Sequence, residues 1–421
     1  MKKSITFLLF QFLFHCSVFS QDITYARNVI DTLTSSFFNG RGVVNEGEKK
    51  AANYLANEYQ KLGLKQFDAT YFQTFTYPIN TFLGELSVSF EETKLIAGKD
   101  YLVDAKSGSL AGTFKLVWYN KDNVPSKKEL KKLAHINFFS NKFIVIDDEG
   151  VEKGNELFEL LKINVFGAAG IIKLENKKLT QGLSSTYHDF AILRIKRESI
   201  HRDYLSITVE INQKLESKYQ SQNVIGYVEG TEFSDSFIVV SAHYDHLGAM
   251  GNDVFFPGAN DNASGVAMLL NLAYHYTHKD PPKKTVVFIA FGAEEAGILG
   301  SKFFVEHPTF SLTKINFVMN LDLLGTGDDG VMIVNGAILP QQFEMLEKIN
   351  AENNYVTAIK KRGKAANSDH YWFTEKGVPA FFMYTMGGIT AYHDVDDVAK
   401  TLPLTKFEDC FRLIRDFLDE L

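Results

Sequence analysis

Residues 236–246 read SFIVVSAHYDH, an apolar run of strand length that stops abruptly on His243, Tyr244, Asp245 and His246. A glycine-bounded loop follows, GANDNASG at 258–265, then a helical pattern from Ala263 to Tyr276, then a second apolar run, KKTVVFIAFG at 283–292. These strands show no apolar/polar alternation, which is the pattern of a largely parallel sheet covered by helices on both faces. The rhythm returns in INFVMNLDLLG at 315–325 and the helical stretch QQFEMLEKINAEN at 341–353. It ends with VPAFFMYT at 378–385 and an amphipathic helix from Lys406 to Leu418. The expected fold class is therefore α/β: a mostly parallel mixed sheet sandwiched by helices.

Upstream, EGEKKAANYLANEYQKLGL at 46–64 spaces Ala52, Leu55, Tyr59 and Leu62 as a helix that stops at Gly63, after the turn Gly40-Arg41-Gly42. Between about 80 and 206 the pattern changes to short strand-like runs, FKLVWY, KFIVIDD, AAGIIKL and FAILRI, broken by lysine-rich turns, with one helical stretch near 154–162. This predicts a core domain of residues 21–80 and 207–421 interrupted by a β-rich domain at 81–206.

Residues 1–20, MKKSITFLLFQFLFHCSVFS, have two lysines, a short apolar run and small residues near Ser20. That is the pattern of a cleavable signal peptide, and it predicts a secreted or periplasmic protein. The run falls short of the ~20 apolar residues that span a bilayer, and no later segment reaches that length, so no transmembrane segment is expected in the mature chain. Cleavage after Ser20 leaves Cys410 alone, so no internal disulfide is expected.

The chain has 421 residues and 45% apolar content, which suits a packed enzyme rather than a disordered or fibrous chain. Its 44 basic against 51 acidic side chains, net charge −7, show no basic run fit to track a phosphate backbone, so nucleic acid is not an expected partner.

In open α/β sheets the ligand site lies beyond the carboxyl ends of the strands. The polar residues gather there: His243 and Asp245 after one strand, Asp261 in the next loop, Glu294 and Glu295 after another, Asp322 after a third and His393 in a late loop. Imidazoles and carboxylates together suit zinc. Taken singly, Asp261 reads equally well as the N-cap of the helix that follows. The adjacent pair Glu294-Glu295 is harder to place without a cation, since two like charges follow a buried run.

The strings His243-Tyr244-Asp245, Gly258-Ala259-Asn260-Asp261-Asn262-Ala263-Ser264-Gly265, Glu294-Glu295-Ala296-Gly297, Asn320-Leu321-Asp322 and Tyr392-His393 resemble the co-catalytic di-zinc aminopeptidases, in that family's order and approximate spacing. The clan also holds glutamate carboxypeptidase, glutaminyl cyclase and the transferrin receptor. The resemblance implies two zinc ions per chain and peptide substrates. It assigns His243, Asp261 and Asp322 to one ion, with Asp261 bridging, and Glu295 and His393 to the other. Asp245 is implied to hold the His243 imidazole, Glu294 to be the general base, and Tyr392 to present a phenol to the oxyanion. Ser368-Asp369-His370 is similar to a supporting string, and the 81–206 insert loosely resembles a protease-associated domain. His246, His275 and His278 carry weaker signals, the last two reading as surface or packing residues. Asn260 and Asp394 depart from the family's usual Asp and Thr or Ser.

The implied activity is hydrolysis of N-terminal residues from peptides. Glutaminyl cyclase, a carboxypeptidase that would need a basic pocket for which Arg362 is a candidate, and a non-catalytic binding module are the competing readings. Side-chain preference and oligomeric state are not legible.

Overall fold

The computed structural model describes residues 23–252 and 254–421; the expected signal peptide and Cys16 lie outside the described residues. Among these residues two eight-stranded sheets organise the chain. In the first, Lys284–Phe291, Phe233–His243, Ile315–Leu321 and Ala380–Thr385 lie side by side and parallel. One edge is extended by the antiparallel strands Gln213–Val228 and Phe72–Phe82, the other by Val331–Val334 and Ile359–Lys361. From Phe237 onward in Phe233–His243, and at nearly every position of the other three, the central strands are buried, which explains their unbroken apolar reading.

The helices Gly47–Leu62, Gly265–His278 and Phe407–Glu420 share one apolar cluster on one face of this sheet. Ile23–Leu33 adds Ala26, Val29, Ile30 and Leu33 to the same cluster. The opposite face is covered by Leu299–Glu306 and His370–Glu375 through Phe304 and Phe373. Helices thus cover both faces, as the strand pattern requires.

The second sheet uses residues 87–211, and its centre is four parallel strands: Leu110–Tyr119, Lys142–Ile146, Gly170–Glu175 and Ala191–Lys196. The strand Ser206–Ile211, expected with the core domain from residue 207, pairs instead with Leu110–Tyr119 and Ser87–Phe90 in this sheet. Two helices, not one, pack on the insert. Lys127–His135 escaped the sequence reading because it buries only Leu130, so its apolar periodicity is faint; its signal was the reciprocal cap between Ser126 and Glu129. The helix Glu156–Lys162 lies where one was expected.

Among the described residues no helix is long and apolar enough to cross a membrane.

Candidate active site

Three neighbouring parallel strands end at one rim. His243 closes Phe233–His243, Glu294 and Glu295 follow Lys284–Phe291, and Asp322 follows Ile315–Leu321. Asp261 comes from the loop before the helix Gly265–His278, and His393 from the loop after Ala380–Thr385. The turns that aim these groups are tight: Ala293, Leu323 and His393 itself adopt left-handed backbone conformations, with φ of 55°, 54° and 53°. Such conformations cluster at functional loops because surrounding structure must enforce them.

The side chains converge on Asp261. His243 Nε2 lies 3.3 Å from Asp261 Oδ1 and 3.5 Å from Asp322 Oδ2. The other oxygen of Asp261 lies 2.9 Å from His393 Nε2, which is also 3.2 Å from Glu295 Oε2. Two donor groups thus share one carboxylate, each with an imidazole and a further acid. His243 Nδ1 meets the Asp245 backbone carbonyl at 3.1 Å. Donation to that carbonyl fixes the tautomer and turns the Nε2 lone pair toward the two acids. A cation or proton must lie between, because lone pairs facing each other repel.

Electrostatics states the same demand. Burial disfavours a charged His243, yet the carboxylates of Asp322 and Glu294 and contacts with Asp245 and Asp261 hold its pKa well above the ordinary range. For His393, burial is outweighed by Asp261 and Glu295, and its pKa rises to about 11. Asp261, despite its burial, is pulled well below the usual carboxylate range by His243 and His393. One oxygen of Asp322, Oδ1, is buried with no hydrogen-bond partner. A buried acidic cluster with an unpartnered oxygen and two inward-facing imidazoles fits divalent metal.

Glu294 differs from its neighbour. Burial, followed by the repulsion of Asp369, Glu295 and Asp322, lifts its pKa well above the normal carboxylate range although His243 opposes this. Glu295 is buried too, but His246 and His393 draw it down to about 2. Their surroundings thus push the two adjacent acids in opposite directions, which is the separation acid–base chemistry requires.

The Asp245 carboxylate lies 3.7 Å from His243 Nδ1. Its oxygens accept the backbone N–H groups of Glu294, at 3.0 Å, and Glu295, at 3.2 Å. The residue therefore orients both strand ends, one through its carbonyl and the other through its carboxylate. Tyr392 is 45% exposed and stacks flat on His393 with ring centres 3.9 Å apart. Ser368 supports the site: its hydroxyl lies 3.4 Å from Asp322 Oδ2 and accepts from Asn320 Nδ2. Asp369 and His370 are fully buried beside it, and burial moves their pKa values to about 7 and about 4.

The two departures from family pattern are fasteners. Asn260 Oδ1 accepts the Gly325 N–H, and Asp394 accepts those of Tyr392 and Asp396. An open pocket of about 210 Å³ leads to the cluster past Leu323, Arg362, Phe382 and Tyr384. Arg362 donates to the Tyr384 hydroxyl at 3.2 Å.

Three residues gave little or no sequence signal for the site. His246 is buried, its Nδ1 lies 2.7 Å from Glu295 Oε1 and its ring meets that of His393 edge-on with centres 5.8 Å apart, so that with Asp261 and Glu295 it too could reach a metal; only its place in the string after His243 marked it. Asp397 accepts the N–H groups of Asn260 and Asp261 on its two oxygens. Arg41 is fully buried and donates to the carbonyls of Leu33, Tyr244, Pro257, Gly258 and Asp261, clamping the loop after His243 to the loop bearing Asp261. The glycines beside it allow the approach: a Cβ on Gly42 would stand 2.4 Å from the Gly248 Cα. His275 packs edge-on against Phe411 and His278 stacks on Tyr274, both away from the site.

The sequence model described as peptidase family M28 matches residues 223–418. Aminopeptidase YwaD of Bacillus subtilis (strain 168) is 28% identical over 361 residues, 79% of this chain and 69% of that protein. A vacuolar membrane protease of Candida dubliniensis is 26% identical over 238 residues, and the match spans only 24% of its length. Among solved structures, BSAP, a zinc aminopeptidase from Bacillus subtilis, superposes with a TM-score of 0.70 at 22% identity over 94% of both chains. The peptidase M28 precursor of Shewanella amazonensis superposes at 0.69 with 18% identity, over 95% of this chain and 93% of its own. These superpositions match the α/β fold across both sheets.

Proposed function

The chain belongs to peptidase family M28 through residues 223–418, and on that premise we propose that it is a two-zinc aminopeptidase that hydrolyses N-terminal residues from peptides. The observation that carries this reading is the division of Asp261, whose two oxygens serve different imidazoles. His243, Asp261 and Asp322 would hold one ion, and Asp261, Glu295 and His393 the other. Zinc held there would supply the chemistry of a Lewis acid, acidifying water and polarising the scissile carbonyl.

The remaining work falls to the chain. Glu294 lines the pocket outside the ligand contacts and is the proton carrier, taking a proton from water and delivering it to the departing amine. Asp245 fixes the directions of Glu294 and Glu295 through their amides. Tyr392, on the exposed side of His393, presents its hydroxyl toward the pocket as an oxyanion donor. Leu323, Phe382 and Tyr384 form the apolar wall that receives the substrate side chain. The leader at residues 1–20 would carry the enzyme out of the cytoplasm.

The test is mass spectrometry of free, N-acetylated and N-terminal Gln peptides incubated with the zinc-loaded protein, with Glu294→Gln as control. Stepwise shortening of only the free N-termini is expected. Ammonia loss from the Gln peptide alone would make the protein a cyclase, and shortening from the carboxyl end would make it a carboxypeptidase. No change in any peptide would overturn the enzymatic reading.

A further inference from the structure

The insert presents an apolar, basic tip at the amino ends of two of its parallel strands. The helices Lys127–His135 and Glu156–Lys162 start together, tied by the ion pair of Lys127 with Glu156, and bury Leu130, Phe158 and Leu161 in one cluster. Their carboxyl ends run into two loops that precede neighbouring parallel strands and are joined by the Ala169 N–H to the Phe139 carbonyl. From these loops Ile136, Phe138, Ile163 and Val165 point to solvent, with 69%, 36%, 59% and 51% exposure.

The exposure is not for want of polar residues. Asn164, between Ile163 and Val165, is buried and closes its loop by donating to and accepting from Ala168. The loop turns its polar side chain in and its β-branched apolar ones out, which is costly in water and needs a partner surface.

Charge identifies the partner. The stretches 130–146 and 160–174 hold five lysines and no Asp or Glu, in a chain of net charge −7. Lys131 and Lys132 are exposed and within ion-pair distance of no acid among the described residues, as is Lys128 one turn back. The carboxylates nearby are occupied: Glu129 caps Ser126, Glu156 holds Lys127, and Glu159 and Asp148 hold Lys162. Exposed lysines on one helix beside protruding aliphatic side chains match a negatively charged lipid surface, where apolar tips enter the headgroup boundary and ammonium groups stay among phosphates.

Orientation follows from topology. The strand Gly170–Glu175 leaves the tip, and the loop after its far end reaches the active-site side, where Lys178 contacts the 390–394 loop. Six residues at ~3.3 Å each set the two ends about 20 Å apart along this strand. We infer that the insert docks the enzyme on anionic phospholipid through this tip, leaving the peptide pocket facing away from the membrane.

Sedimentation of the full chain with phosphatidylglycerol–phosphatidylcholine vesicles, against phosphatidylcholine alone, tests this. Binding only to the anionic vesicles is expected, weakening as salt is raised, with at least a tenfold loss in the double variant Lys131→Glu, Lys132→Glu and in Ile163→Asp. All forms carry the same N-terminus, so its apolar run contributes equally. The tip is remote from the site, so each variant should cleave soluble peptides at the parent rate, which checks folding. Equal binding to neutral vesicles, or variants that bind like the parent, would overturn the inference. So would a parent dimer in solution that these substitutions dissociate, since a second copy would then be what covers the tip.

Discussion

Lys178, in the insert, donates to Asp394 Oδ2 at 2.7 Å, and Asp394 directly follows the imidazole His393. The same ammonium reaches the carbonyls of Thr390 and Tyr392, and the Gln181 N–H donates to the His393 carbonyl. The inserted sheet therefore fixes the loop that carries His393, one of the three ligands proposed for the second ion, at a residue whose φ of 53° requires outside support. Lys178→Met is expected to weaken the ion held by Glu295 and His393 roughly 10–100-fold, leaving the His243–Asp322 ion in place. Zinc content after dialysis against graded chelator reads this, and Lys178→Arg should restore it. If both ions leave together, or neither is weakened, the clamp has no such role.

Glu294→Gln separates chemistry from metal binding. The side chain lines the pocket and its backbone is pinned by Asp245, so the amide should keep its place. Zinc content is expected to stay at the parent value while kcat falls about 10²–10⁴-fold. Zinc loss without that fall would exchange the roles of Glu294 and Glu295.

Glu48 ties stability to pH. Burial, and then the charge of Asp245, raise its pKa from 4.5 to about 8 in the folded chain. The folded form thus holds a proton that the unfolded form releases near 4.5, so stability contributed by this group is full below that pH and drains away as pH rises to about 8. Glu48→Gln should flatten that decline, on the order of a few kcal/mol across the window. Urea unfolding of metal-free protein at either end of the window measures it. A parent and variant with equal slopes would show that Glu48 ionises normally.

The strands and the polar residues gathered at their ends could be read from the sequence for a physical reason: buried parallel strands must be apolar, and charged groups at their ends stand out. Glu294 and Glu295 are conspicuous after VVFIAFG, as is His243 after SFIVVSA. What could not be read is what holds them. Asp397 reaches Asn260 and Asp261 from 136 positions or more along the chain, and Asp245 serves backbone amides that have no side-chain signature. The helix Lys127–His135 was invisible because its exposed lysine face outweighs one buried leucine.

Arg41 is the extreme case, a single residue in a glycine turn that proves to be fully buried and to bond five carbonyls from three stretches of chain. Among the described residues no carboxylate pairs with it directly; burial lowers its pKa to about 10 while Asp261 and Asp397 favour its charge. Its value lies in saturating carbonyls that water cannot reach, so Arg41→Met leaves several of them unpaired and should cost about 3 kcal/mol or more of unfolding free energy. Because those carbonyls belong to the loops of His243 and Asp261, the loss should also appear as weaker zinc binding in variant protein that is still folded at low temperature. Arg41→Lys, with three donors in place of a planar fork, should recover part of the stability but little of the affinity. A folded Arg41→Met protein binding zinc as the parent does would show that the two loops hold their geometry without the clamp.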